Sequence, residues 1–248
     1  MELSEIENKH KGSAAFLIGA GPSLHGVDVT PLSKYVTITV NSGIVKMPDC
    51  DYFVSDDQGV REWSYYLQTA RDSKCKKLLF KTKLADAVSH FREEDVAFFS
   101  HKTWYDPSKK KKYPEGLELT REASKPIVGA RTSMGTAVHL AYIMGCDPIV
   151  LMGCDCCYVG RKRYFWQFPG EKAPIKIGTR FFSTPNRGRI EDKPVDHHCI
   201  DFHEYWREFA ATNKGKVEII DTATEGLLKS FPKMALEDVL DKYADRLK

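Results

Sequence analysis

Four short apolar runs in this chain each stop at small polar or acidic residues, and that repeated ending limits the folds open to it. Ala14-Ala15-Phe16-Leu17-Ile18 runs into Gly19-Ala20-Gly21-Pro22-Ser23, and Tyr35 to Val40 runs into Asn41-Ser42-Gly43. Asp51 to Ser55 ends at Asp56-Asp57, and Pro148 to Met152 ends at Gly153-Cys154-Asp155. Short apolar or β-branched runs bounded by turn residues suit strands covered on both faces, as in parallel sheets. In open α/β sheets ligands sit beyond the carboxyl ends of such strands, so these endings are the first place to look for a site.

Further strands are expected over Lys77 to Lys81, Asp95 to Ser100 and Val217 to Ile220. Helices are expected over residues 60 to 73, from an N-cap at Ser133 to about Met144, from about Cys199 to Asn213, and over the amphipathic tail from Ala235 to Leu247. The reading is a single Rossmann-like α/β domain over residues 1–248, with a doubly wound, mostly parallel sheet and helices on both faces. Residues 101–125, with Trp104, Tyr105 and the run Lys109 to Lys112, read as an inserted mobile surface loop. Residues of about 160–195, rich in aromatics and arginines, read as a long lid.

The bend Gly19-Ala20-Gly21-Pro22-Ser23 lets backbone amides approach an anion, because glycine adds no side chain and tolerates positive φ. It has neither the third glycine of a dinucleotide fingerprint nor the Gly-Lys-Ser/Thr of a phosphate loop, and a plain strand-to-helix turn explains it equally simply. Asn41 and Ser42 suit hydrogen bonds to base, ribose or phosphate, or else form an Asx turn. Asp56 and Asp57 suit a divalent cation or a hydroxylated ligand, or else cap a helix.

The strings Leu17-Ile18-Gly19-Ala20-Gly21-Pro22-Ser23-Leu24, Val40-Asn41-Ser42, Thr132-Ser133-Met134-Gly135 and Gly153-Cys154-Asp155 resemble the bacterial sialyltransferase fold. They also resemble its relatives, the motility accessory factor glycosyltransferases and the archaeal 6-hydroxymethylpterin pyrophosphokinases. The resemblance implies nucleotide binding by Gly19, Gly21, Ser23 and Asn41, and Pro22, Ser42, Asp56, Ser133, Gly153 and Asp155 at the same strand ends and helix start are further candidates for it. It further implies glycosyl transfer from a nucleotide sugar, a cytidine monophosphate sugar in the sialyltransferases, to a hydroxyl acceptor, with no metal required. Tyr158 and Tyr164 would then stabilise the leaving phosphate, and His198 or His197 would deprotonate the acceptor, an imidazole task near neutral pH. Lid arginines such as Arg180 or Arg187 would close over the phosphate. This sequence departs from the pattern by an extra cysteine between Asp155 and Tyr158. The alternatives are a pterin-type pyrophosphokinase using magnesium at Asp56 and Asp57, and a nucleotide-binding module without catalysis.

Charge narrows the partners. The net charge of +3 from 37 basic and 34 acidic residues gives no strong case for wrapping nucleic acid. The lysine run leaves that partner open without favouring it. No apolar stretch reaches the roughly 20 residues of a membrane span, and the start Met1-Glu2-Leu3-Ser4-Glu5 is unlike a secretory signal, so a cytoplasmic protein is expected. Its seven cysteines are read as reduced. Zinc at Cys154, Cys156, Cys157, His197, His198, Cys199 and His203 is disfavoured because a strand presents Cys154 and Cys156 on one face and Cys157 on the other. Oligomeric state is left open.

Overall fold

The computed structural model describes residues 1–56, 70–73, 75, 77–81, 91–106, 108–129, 132–159, 162–172 and 196–248, with 77–81 and 196–201 as backbone alone. Seven strands form one sheet: β1 (Ala15–Ile18), β2 (Val36–Val40), β3 (Tyr52–Ser55), β4 (Lys77–Lys81), β5 (Val96–Phe99), β8 (Ile149–Met152) and β9 (Ile219–Asp221). Their order across the sheet is β5-β4-β3-β2-β1-β8-β9, and every pairing is parallel. β6 (Tyr105–Asp106) and β7 (Lys111–Lys112) form a separate antiparallel hairpin.

The apolar runs are explained by burial on both faces. Ala15 and Leu17 of β1 join one core cluster, while Phe16 and Ile18 join the other, as the period-2 alternation of a strand requires. α1 (Ser133–Ile143) and α2 (Asp196–Thr212) cover the first face through Ala137, Leu140, Tyr205, Trp206 and Phe209. α3 (Leu236–Lys242) covers the second through Val239. The doubly wound, parallel architecture is as the sequence predicts.

Three local expectations are corrected. The stretch 101–125 is held down rather than loose: Trp104, Leu117, Leu119 and Ala123 are buried in the core, and Lys112 bonds Glu204 and Glu208 of α2 at 2.5 and 2.8 Å. Apolar anchors spaced along an irregular stretch carry no periodicity, which hid them. α1 is capped by Thr132, whose Oγ1 accepts from the Gly135 amide at 3.2 Å, so Ser133 is the first helical residue and its hydroxyl is available elsewhere. The tail helix is shorter than its amphipathic pattern, ending at Lys242. Of the helix expected over residues 60 to 73, only residues 70–73 lie within the described residues, and 70–72 are helical.

Strand order places the site. From β1 the chain steps outward to β5, then returns through α1 to β8 on the opposite side of β1. The order therefore reverses between β1 and β8, and the bends Gly19 to Ser23 and Gly153 to Asp155 face each other across that switch point.

Candidate functional site

The two facing bends are closed on each other. The amides of Gly19 and Gly21 donate to the carbonyls of Met152 and Gly153 at 2.8 and 3.0 Å. The Ser23 amide and hydroxyl donate to Asp155 Oδ1 and Oδ2, each at 2.9 Å. The donors expected to face an anion are thus spent on β8 and on an internal carboxylate. Gly21 is needed because a Cβ there would run into that carboxylate. Burial pushes the Asp155 carboxyl above its usual range, opposed by the Ser23 bonds that favour its charged form.

A second constellation opens beside it, at the ends of β2 and β3 and the start of α1. Ser55 Oγ donates to Asn41 Oδ1 at 3.0 Å, and Asn41 Nδ2 donates to Ser133 Oγ at 3.1 Å. Ser133 in turn donates to Asp56 Oδ1, and Thr136 Oγ1 donates to Asp56 Oδ2 at 2.6 Å. His101 Nε2 lies 3.0 Å from Thr136 Oγ1 and 3.6 Å from Asp56 Oδ2. Because the Thr136 proton goes to Asp56, His101 must donate to Thr136 through Nε2, which fixes its tautomer or its charge. Every bond in the chain therefore points toward the Asp56 carboxylate. Asn41 turns into this position with φ of 50°, a left-handed conformation that asparagine tolerates better than most residues.

Of the residues singled out in the sequence, Asn41, Asp56 and Ser133 are brought together here, while Gly19, Gly21, Pro22, Ser23, Gly153 and Asp155 form the closed pair of bends next door. Ser42 sits between the two groups, and its hydroxyl receives the Trp166 indole N–H at 3.4 Å. Trp166 belongs to the described part of the expected lid, residues 162–172. Its backbone docks on the glycine bend through Phe165 N to Ala20 O at 3.0 Å. Glu171 fastens it by accepting from Gly26 N at 2.7 Å and from Lys46 Nζ at 2.8 Å. Tyr164 stacks on Trp166 with ring centroids 4.9 Å apart. Tyr158 is half-buried, beside the short turn where Val159 and Lys162 exchange hydrogen bonds.

His197 and His198 fall in the first turn of α2, where only backbone is described, and Asp57, Arg180 and Arg187 lie outside the described residues. Sequence reasoning missed Ser55, Thr136 and His101. The signals existed: Ser55 closes β3, Thr136 is one helical turn from Ser133, and His101 lies just beyond the carboxyl end of β5. Applying the strand-end rule to a fifth strand finds the histidine. Among the described residues no group of three or more His, Cys, Asp or Glu side chains is gathered for a metal ion, and no helix is long and apolar enough to cross a membrane.

Comparisons with known proteins agree with this architecture. The solved structure of the MAf glycosyltransferase from Magnetospirillum magneticum AMB-1 superimposes with a TM-score of 0.55 at 10% identity, over 98% of this chain. The chain spans 40% of that longer protein, so the likeness is one of fold. No curated protein matches. A family model described as 6-hydroxymethylpterin diphosphokinase MptE-like matches residues 1–161, which include both bends and the whole Asp56 constellation, and the chain belongs to that MptE-like family.

Proposed function

We propose that this chain is a magnesium-dependent diphosphoryl transferase, moving a diphosphate from a nucleoside triphosphate to the hydroxyl of a small heterocyclic alcohol of the pterin class. The observation that carries the reading is the Asp56 carboxylate at the carboxyl edge of the sheet, which accepts the Ser133 and Thr136 hydroxyls of α1 and ends a hydrogen-bond chain that runs from Ser55 through Asn41 to Ser133. The match to a diphosphokinase-like family over the same residues supports it.

The donor set suits magnesium. Asp56, Ser133 and Thr136 offer hard oxygen atoms, and magnesium is commonly held by one or two carboxylates together with substrate phosphates. When bound, the cation would neutralise charge on the transferring phosphoryl groups. Asp56 would hold it, with Ser133 and Thr136 fixing the carboxylate's orientation and His101 fixing Thr136. The acceptor hydroxyl oxygen forms a bond to the β-phosphorus, the bond from that phosphorus to the bridging oxygen of the α-phosphate breaks, and nucleoside monophosphate leaves. The hydroxyl proton goes to a base, for which His198 or His197 in the first turn of α2 is the candidate.

A second reading, glycosyl transfer from a nucleotide sugar without metal, is favoured by Tyr164, which the docked segment holds next to the glycine bend. Metal dependence separates them. Incubation with ATP, magnesium and 6-hydroxymethylpterin should release AMP, and a chelator should abolish it. AMP release that survives the chelator would reject the first reading, and hydrolysis or transfer of a cytidine monophosphate sugar in its presence would establish the second.

A further inference from the structure

Tyr205 is wholly buried on α2, edge-on to Trp104 with centroids 5.5 Å apart and packed against Trp206 and Phe209. Its hydroxyl has no hydrogen-bond partner among the described residues. Leaving such a group unsatisfied is costly, and phenylalanine would fill the same space without the cost. The orphan therefore calls for an explanation beyond packing.

Its position supplies one. The phenol oxygen abuts Gly135 in the first turn of α1, where any Cβ would collide with it. That turn is the positive end of an 11-residue helix. Thr132 satisfies the Gly135 amide, while the amides of Ser133 and Met134 belong to the first turn, which has no acceptor within the helix. Asp56 lies on the Ser133 and Thr136 side of this turn, and Tyr205 on the Gly135 side. Burial, with the Asp56 charge adding to it, pushes the phenol well above its ordinary range, so it keeps its proton and serves as a donor at any physiological pH.

We propose that the Tyr205 hydroxyl is a binding donor for one anionic oxygen of a diphosphate seated at the start of α1, opposite a cation on Asp56. This deepens the proposed function by naming the residue that receives the diphosphate, and it rests on that reading for the reaction though not for the binding. The hydroxyl is packed between Trp104, Trp206 and Phe209, and the ligand supplies the hydrogen bond it lacks among the described residues.

The test is Tyr205→Phe in the full chain, with magnesium pyrophosphate as the probe in isothermal calorimetry. The melting temperature of the free variant should equal or exceed that of the unaltered protein, because an unsatisfied polar group has been removed. Its Kd for magnesium pyrophosphate should rise about tenfold or more, the usual cost of losing a hydrogen bond to a charged group. An unchanged Kd, absence of pyrophosphate binding to the unaltered protein, or a clear fall in melting temperature on removing the hydroxyl each overturns the inference. Should the Kd rise while the unaltered protein releases no AMP from ATP with a pterin alcohol, the binding role stands and the proposed reaction falls. Should that reaction proceed with the same KM for ATP in Tyr205→Phe, the inference alone falls.

Discussion

Two aspartates stand at opposite ends of β3 and have been given opposite surroundings. Asp51, just before the strand, accepts from the Thr37 amide and hydroxyl, each at 3.0 Å, and from Lys248 Nζ at 2.8 and 2.9 Å. Its charge is met by a cation and its oxygens by a backbone N–H. Asp56, just after the strand, is met among the described residues by two hydroxyls and an imidazole at 3.6 Å. A buried carboxylate bonded directly to its own cation is structurally complete, whereas one bonded to hydroxyls, with an imidazole only at 3.6 Å, leaves room for a cation to complete it. The difference is what makes one end of the sheet scaffold in this account and the other the candidate site.

The largest effect that sharpens this contrast is expected at Asp56. Asp56→Asn should lower magnesium-dependent turnover about a thousandfold, roughly 4 kcal/mol of barrier, while shifting stability by less than about 1 kcal/mol. Steady-state AMP release and denaturant unfolding read the two quantities separately, and comparable losses in both would erase the distinction. Asp51→Ala should do the reverse, costing about 3 kcal/mol of unfolding free energy because the Thr37 amide is left buried without an acceptor. Its specific activity at a temperature where the variant is folded should stay near that of the unaltered chain.

Next in size comes the closed pair of bends. Gly21→Ala places a methyl group against the Asp155 carboxylate and should cost about 2 kcal/mol. Chemical denaturation measures it. No loss would mean that Asp155 readily leaves Ser23, and the neighbouring bends would then have to be counted with Asp56 as an accessible site.

The smallest effect is a cancellation. His139 is buried with Nδ1 accepting from the Val128 amide at 2.9 Å, so its proton sits on Nε2, 2.9 Å from the Thr120 carbonyl. Burial pulls its pKa from 6.5 to about 4. Above pH 6.5 its contribution is intact, and as pH falls toward 4 the unfolded chain takes up a proton that the folded one refuses, removing about 3 kcal/mol. Asp221, a third aspartate at the carboxyl edge, has the opposite sign: burial lifts its pKa from 3.8 to about 6 despite Lys233 at 3.3 Å. As pH falls from 6 to 3.8 the folded state takes up that proton first, adding about 3 kcal/mol. The two contributions should therefore largely cancel between pH 4 and 6. Asp221→Asn should expose the His139 limb as a decline of about 3 kcal/mol between pH 6.5 and 4, and a flat curve in that variant would contradict the assignment.

The fold was legible because its strands are buried on both faces and end in polar residues, a pattern that β1, β2, β3 and β8 all keep, β2 with Thr37 and Thr39 on one of its faces. Asn41, Asp56 and Ser133 were legible for the same reason, each being the residue just past a strand or at a helix start. Open amides at the glycine bend were expected from local conformation alone, and conformation does not reveal that a carboxylate 132 residues away fills the bend. Tyr205 could not be read from its surroundings in sequence either. Its helical spacing matches an ordinary core position beside Trp206 and Phe209, and only the packing against Gly135 distinguishes it.

Titration of the unaltered protein and of Asp56→Asn with a non-hydrolysable ATP analogue, each with magnesium and with a chelator, tests the central claim most directly. The account predicts binding that requires magnesium and is lost in Asp56→Asn. Equal affinity in all four titrations would show that Asp56 plays no part in holding a metal nucleotide.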